Sequence, residues 1–204
     1  MERRPYFITI ARQFGSLGRA IAKELSEVLG IEYYDRDILE LACRELGKPI
    51  DEIEKYDEAV ANNKFMRMMY PLGMGDSDMH TRLFQMQQSL IRDIANKGQS
   101  CIFVGRCADY VLKDNRRCIN VFIYAPYEDR LRNSVDVLGL SKEDAKKMIR
   151  EVDKARELYH RTYVKTSLEN IEDKSILINS SELGVVGTAQ LLAEMVRLKF
   201  EIED

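Results

Sequence analysis

What most limits the fold of this chain is an alternation of short apolar runs with amphipathic ones, and its first instance carries the most chemistry. Tyr6-Phe-Ile-Thr-Ile10 is apolar, Arg12-Gln-Phe-Gly-Ser-Leu-Gly-Arg19 follows, and an amphipathic run begins at Ala20-Ile21-Ala22. The pattern predicts a buried strand, a glycine-bearing turn and a helix over 18–29. Such a turn aims backbone N–H groups at a helix N-terminus, a natural seat for phosphate. The alternation continues, with strands expected at 6–10, 32–34, 100–104, 119–124 and 175–178. Helices are expected at 18–29, 36–46, 50–63, 78–97, 126–137, 141–163 and 186–200. Short, continuously apolar runs fit strands buried on both faces. Alternating β and α elements then imply a mainly parallel sheet with helices on both sides. Ligands in such folds bind at the carboxyl ends of the strands, which here means just after positions 10, 34, 104 and 124.

Two helices carry further signals. Leu83, Met86, Leu90 and Ile94 form an apolar stripe within 78–97. Ser141-Lys-Glu-Asp144 reads as a capping box that opens a long charged helix. Tyr70-Pro-Leu-Gly-Met-Gly-Asp76 reads as a loop.

Composition excludes several classes. At 204 residues, 45% apolar and 32% charged, the chain fits one globular domain with a real core. A net charge of −3 with intermingled signs gives no nucleic-acid-binding signature. No apolar segment approaches the roughly 20 residues of a membrane span, and no signal peptide is apparent. Cys43, Cys101, Cys107 and Cys118 show no CxxC spacing, and Cys101 and Cys118 fall in or beside strand-like runs. Buried free thiols and a cytoplasmic setting are the expectation.

The strand ends share one chemistry. Asp35-Arg36-Asp37 follows the second strand, Gly105-Arg106-Cys-Ala-Asp109 the third, and Ala125-Pro-Tyr-Glu-Asp-Arg130 the fourth. Arginines, carboxylates and small residues thus converge at one edge of the sheet.

These segments, with Tyr33-Tyr-Asp-Arg-Asp37, Val104-Gly-Arg-Cys-Ala-Asp109 and Ile178-Asn-Ser-Ser-Glu-Leu-Gly184, resemble the cytidylate kinase-like family of P-loop nucleoside monophosphate kinases over nearly the whole chain. The resemblance implies a three-layer α/β P-loop kinase fold. Its five-stranded parallel sheet would be flanked by helices in a single domain over 1–204. It implies an NMP-binding segment at about 36–98 and a lid at about 128–165. The implied activity is Mg²⁺-dependent phosphoryl transfer from ATP to a nucleoside monophosphate, CMP or dCMP favoured. A non-catalytic nucleotide-binding relic and a kinase for another small acceptor are the alternatives.

By the same resemblance ATP would sit on Arg12, Gly15, Ser16, Gly18 and Arg19, with Ser16 as the Mg²⁺ ligand. The acceptor would lie near Asp35, Arg36, Arg106 and Asp109. Arg19, Arg130, Asp153 and Arg156 would act on the transferring phosphoryl group, whose oxygens carry the transition-state charge. The usual loop, G-x-x-x-x-G-K-[ST], supplies a lysine. Here Arg12 stands at the first glycine, Leu17 at the next and Gly18 at the lysine, leaving Arg19 or Arg12 to bring the charge. Cys107 replaces the aspartate of a Gly-Arg-Asp motif, and Ile149 the first arginine of R-x-x-x-D-x-x-R.

Each residue also has a plainer reading. Gly15 and Gly18 could serve backbone geometry alone. Asp35 could cap a helix, and Arg106 could pair with Asp109. Glu151, Lys154 and Glu157 read as a solvated helix face, His80 and His160 as surface or cap residues, and Tyr33, Tyr34, Tyr159 and Tyr163 as packing. Met66, Met68, Met69 and Met74 cluster where helices could form a homodimer face, with core packing as the simpler role.

Overall fold

The computed structural model describes residues 4–35, 38 and 77–202. The helices expected at 36–46 and 50–63, the loop at 70–76, most of the NMP-binding segment, and Arg36, Cys43 and the four methionines lie outside the described residues, as does the side chain of His80.

Five parallel strands form one sheet in the order β2-β3-β1-β4-β5. They are β1 (Phe7–Arg12), β2 (Glu32–Tyr34), β3 (Cys101–Val104), β4 (Cys118–Tyr124) and β5 (Ile176–Asn179). The central strand β1 pairs with β3 from Phe7↔Cys101 to Ile10↔Val104, and with β4 from Phe7↔Cys118 to Arg12↔Ile123. Side chains alternate across a strand. Ile8 and Ile10 therefore face α1 (Gly18–Leu29) and α6 (Ser180–Phe200), meeting Ile21, Leu25, Leu192 and Val196. Phe7 faces the other way, toward α2 (Ser77–Asn96) and α3 (Ala108–Val111), and packs with Ile91, Ile94, Phe103 and Leu112. This is the expected three-layer α/β arrangement.

Helices α4 (Tyr127–Asp136) and α5 (Lys142–Val164) form a hairpin over the span expected for the lid. The Ser141 capping box is made, with Ser141 Oγ accepting from the Asp144 N–H. The hairpin has its own core of Leu131, Ala145, Met148, Ile149, Val152 and Ala155, completed by Phe14 from the glycine turn.

Several expectations are corrected. The buried line of α2 runs through Leu83, Phe84, Gln87, Ile91 and Ile94, leaving Met86 and Leu90 half-buried. The four-residue α3 has no sequence periodicity to announce it. Helix α6 begins at Ser180, not 186, because Asn179 caps it by accepting from the Ser181 N–H, and Gly184 (φ 64°, ψ −167°) interrupts it. Cys101 and Cys118 are buried free thiols, and burial pushes both pKa values up to about 12.

His160 is not at the surface. It is fully buried, with Nδ1 3.0 Å from the Thr166 carbonyl and Nε2 3.5 Å from Asp109 Oδ2. Lys174, its side chain 0% exposed, donates to the same Asp109 oxygen at 2.5 Å. The cluster ties α3, α5 and the approach to β5 together. Burial opposes charge on Asp109, but His160 and Lys174 outweigh it and hold its pKa well below the usual carboxylate range. Burial likewise opposes charge on His160, and the contacts to Asp109 and Thr166 outweigh it, raising its pKa. Glu157 is not a purely solvated residue either, since its Oε2 accepts from the Leu168 N–H at 2.9 Å and from Ser167 Oγ at 3.3 Å.

A raised folded-state pKa gives stability that is complete below the unfolded value, about 6.5 for histidine, and is lost as pH rises through the folded value. Urea melts across this range should therefore show unfolding free energy falling as pH rises above about 6.5. His160→Gln should flatten that slope. A flat profile in the unsubstituted protein would contradict the ion-pair assignment.

Candidate functional site: an arginine cluster at the carboxyl edge of the sheet

Arg12 ends β1, so its side chain leaves the sheet at the edge where ligands bind. Its stem crosses Gly18, where a Cβ would stand 2.8 Å from Arg12 Cβ and 2.9 Å from Arg12 Cγ. Its guanidinium passes Gly105, where a Cβ would overlap Nη1. Nη2 ends 3.6 Å from Asp35 Oδ1. Both glycines therefore leave room for one arginine. At Gly15 backbone geometry does matter (φ +79°), and a Cβ there would also meet the Arg130 carbonyl at 2.6 Å. Gly18 does not have a positive φ, so the clearance that Arg12 needs accounts for it. Leu17, in the place of a glycine, adopts φ 60°.

The third strand brings a second arginine. Gly105, Arg106 and Cys107 have φ values of 76°, 59° and 53°, all left-handed. Such conformations cost non-glycine residues about 1–2 kcal/mol each. Among the described residues no carboxylate pairs with Arg106. A third arginine comes from α5, where Arg156 Nη1 donates to the Arg12 carbonyl at 3.0 Å. Burial, then the charge of Arg12, pushes the Arg156 pKa well down, and Arg106 adds to the effect. Burial also lowers that of Arg12, against the pull of Asp35. Arginine does not deprotonate in proteins, so these directions express burial first and like-charge crowding second.

Asp35 accepts from Arg19 Nε at 2.5 Å as well as facing Arg12. Arg19 is itself 66% exposed. Asp35 thus acts here as the counter-ion of two arginines.

The glycine turn is held from the hairpin. Asp153 Oδ1 accepts from the Phe14 N–H at 2.7 Å, and Arg130 Nη1 donates to the Phe14 carbonyl at 3.3 Å. Arg130 and Asp153 are ion-paired with each other. Asn133 Nδ2 donates to the Gly15 carbonyl at 3.0 Å, and Ser180 Oγ to the Ser16 carbonyl at 2.8 Å. Among the described residues, no protein acceptor meets the N–H groups of Gly15, Ser16, Leu17 or Gly18. Leu17 is half-buried, and Gly15, Ser16 and Gly18 are buried.

Not every expected residue joins the cluster. Asp109 is engaged by Lys174 and His160 inside the fold, so it is neither free for an acceptor nor the partner of Arg106. Arg130 and Asp153 are turned onto Phe14. Ser16, the donor named for Mg²⁺, does not fit it, being buried with Oγ donating to the Gln13 carbonyl at 2.9 Å, and the nearby Asp35 is taken by two arginines. No group of three or more His, Cys, Asp or Glu among the described residues could hold a metal ion. No helix among them is long and apolar enough to cross a membrane.

Residues 7–182 match the cytidylate kinase-like family. The chain belongs to that family. No curated protein matches it. Among solved structures, an uncharacterized protein from Eubacterium ventriosum ATCC 27560 is 24% identical, covering 97% of this chain and 99% of its own, with a TM-score of 0.67. Shikimate kinase from Acinetobacter baumannii, solved in complex with shikimate, is 18% identical over 98% and 95% of the two chains, with a TM-score of 0.52. A gluconokinase from Sinorhizobium meliloti 1021 is 11% identical over 97% and 98%, also with a TM-score of 0.52. At these identities the likeness is one of fold, that of the P-loop kinases.

In this cytidylate kinase-like chain Phe14, Asn133 and Ser180 were not legible as site residues. Phe14 carried the one usable signal, a large apolar side chain inside a glycine turn. The overlap of Arg12 with position 18 leads to a double-mutant test. Gly18→Lys, which would restore the usual lysine, should destabilise by about 1–3 kcal/mol through overpacking. Adding Arg12→Gly, which removes both Cβ and Cγ, should relieve the clash, so the pair should cost less than the sum of the two single changes in urea denaturation. Additive costs would show that Arg12 does not occupy that space.

Proposed function

We propose that this chain transfers the terminal phosphoryl group of ATP to a nucleoside monophosphate, with CMP or dCMP the favoured acceptor. The observation that carries the reading is the surplus of guanidinium at the carboxyl edge of the sheet. Arg12, Arg106 and Arg156 crowd together with Arg19 nearby, and Asp35 pairs with Arg12 and Arg19. Phosphoryl transfer needs positioning and charge neutralisation more than a general base. The N–H groups from Gly15 to Gly18, which no described acceptor meets, suit the donor phosphates, and Arg106, beyond the end of β3, suits the acceptor phosphate. Membership of the cytidylate kinase-like family supports a nucleotide acceptor.

Arg12 supplies the cation that the loop's lysine usually brings, and it reaches the phosphates from the strand instead of the helix. P-loop kinases generally use Mg²⁺ with ATP. Because Ser16 and Asp35 are already engaged, no step here is assigned to the metal. The same observation favours one second reading, a nucleotide-binding protein without turnover.

The two readings separate in a coupled assay with ATP, Mg²⁺ and CMP. Kinase activity predicts CMP-dependent ADP. Nucleotide binding by calorimetry with no ADP above the blank, for any common monophosphate, predicts the second. Arg106→Ala should weaken CMP binding by about 1.5–3 kcal/mol, the range for a charge-assisted hydrogen bond, and leave ATP binding nearly unchanged. Equal loss of both would remove Arg106 from the acceptor site.

A further inference from the structure

The hairpin of α4 and α5 lies where a hinged lid is expected, yet its contacts are those of a bracket. Phe14 is 4% exposed and completes the hairpin's apolar core. Polar contacts fall on three residues of the loop: Arg156 on the Arg12 carbonyl, Asp153 and Arg130 on the two sides of Phe14, and Asn133 on the Gly15 carbonyl. Asp153 and Arg156 are one helical turn apart, so a single face of α5 grips the loop at two points.

A trans peptide points its C=O and the following N–H in opposite directions. Pinning the carbonyls of Phe14 and Gly15 to the hairpin therefore aims the N–H groups of Gly15 and Ser16 away from it. Those N–H groups are among the ones that no protein acceptor meets. The hairpin thus determines where the loop's donors point.

We propose that Asp153 is a positioning residue for the phosphate loop, and that α4 and α5 form a fixed bracket on that loop and not a hinged lid. Asp153 acts through Phe14. Its carboxylate takes the one loop N–H that would otherwise compete for an anion, and it holds Arg130 against the carbonyl of the same residue. This departs from the role implied by resemblance, in which Asp153 acts on the transferring group. The kinetic consequence rests on the phosphoryl-transfer reading, and the structural one does not.

The test combines amide hydrogen exchange of the full chain, with and without ATP, with kinetics of Asp153→Ala and Asp153→Asn. In the unsubstituted protein, α4 and α5 should be as protected without ATP as β4 is, and ATP should change them little. Asp153→Ala should speed exchange at Phe14 and raise the KM for ATP about tenfold or more, leaving the KM for CMP within about twofold. Asp153→Asn should recover part of the loss, because its amide oxygen still accepts the Phe14 N–H. Protection of α4 and α5 that appears only with ATP would overturn the bracket. A loss confined to the KM for CMP, or no recovery in Asp153→Asn, would overturn the positioning role. If no acceptor is turned over, the phosphoryl-transfer reading fails, and exchange of the free protein still decides the bracket. Should Asp153→Ala not fold, Asp153→Asn and the exchange data carry the test.

Discussion

The structure depends on one buried arginine. Arg12 leaves β1 with its stem against Gly18 and its guanidinium beside Gly105, and it ends facing Asp35. Its side chain is only 16% exposed. A guanidinium that far from water must be hydrogen-bonded and paired or it costs several kcal/mol. Four segments are committed to meeting that need: the end of β1, the first residue of α1, the residue after β2 and the residue after β3. Gly18 gives Arg12 clearance, Gly105 does so as well as holding a left-handed φ of 76°, and Asp35 is its counter-ion. Where the usual loop has its lysine, position 18 is a glycine against which the Arg12 stem packs.

The turn between β1 and α1 is specified from outside itself. Its left-handed residues, Gly15 and Leu17, set the path of the chain. The hairpin and Ser180 take the carbonyls, and the N–H groups are left over. That division leaves unpaired donors in a turn lacking two of its usual glycines and its lysine. Phe14 binds the arrangement to the hairpin core, so packing in α4 and α5 and geometry at the loop are one problem.

The fold was readable because strands buried on both faces and amphipathic helices have distinct periods, and all five strands fall within two residues of where the apolar runs place them. The cluster of arginines was readable from topology, since each lies at or just beyond a strand end or in the helix that returns over it. What was not readable depends on pairings distant in sequence. His160 looks like a surface residue on its own helix, and only Asp109, brought in from the other side of β3, makes it a buried one. Asp109 looks like a site residue until Lys174 arrives from the approach to β5. Asp153 carries no local sign that its partner is the backbone of Phe14. Gly18 could be assigned to backbone freedom or to clearance, and only the path of the Arg12 side chain decides between them. Helix α3 is too short to show a period, and its start is built from three left-handed residues that no propensity favours.

Two charge clusters stand out among the described residues, and their contrast bears on the site. Around Asp109 the charges close on themselves: Lys174 and His160 converge on one carboxylate oxygen, and Thr166 satisfies the far side of the imidazole. Such a cluster is complete without a ligand and stabilises a junction of elements. Around Asp35 the charges do not close. Arg12 and Arg19 share it, Arg156 finds the Arg12 carbonyl, and Arg106 finds no carboxylate among the described residues. Asp153, which Arg130 pairs, also acts on Arg156. Four guanidinium groups against Asp35 and a share of Asp153 would be costly in a purely structural role, because like charges at close range destabilise the folded state. Their retention at the carboxyl edge of the sheet, beside open N–H groups and on strained backbone at Arg106, follows if the missing partner is an anion that arrives from solution.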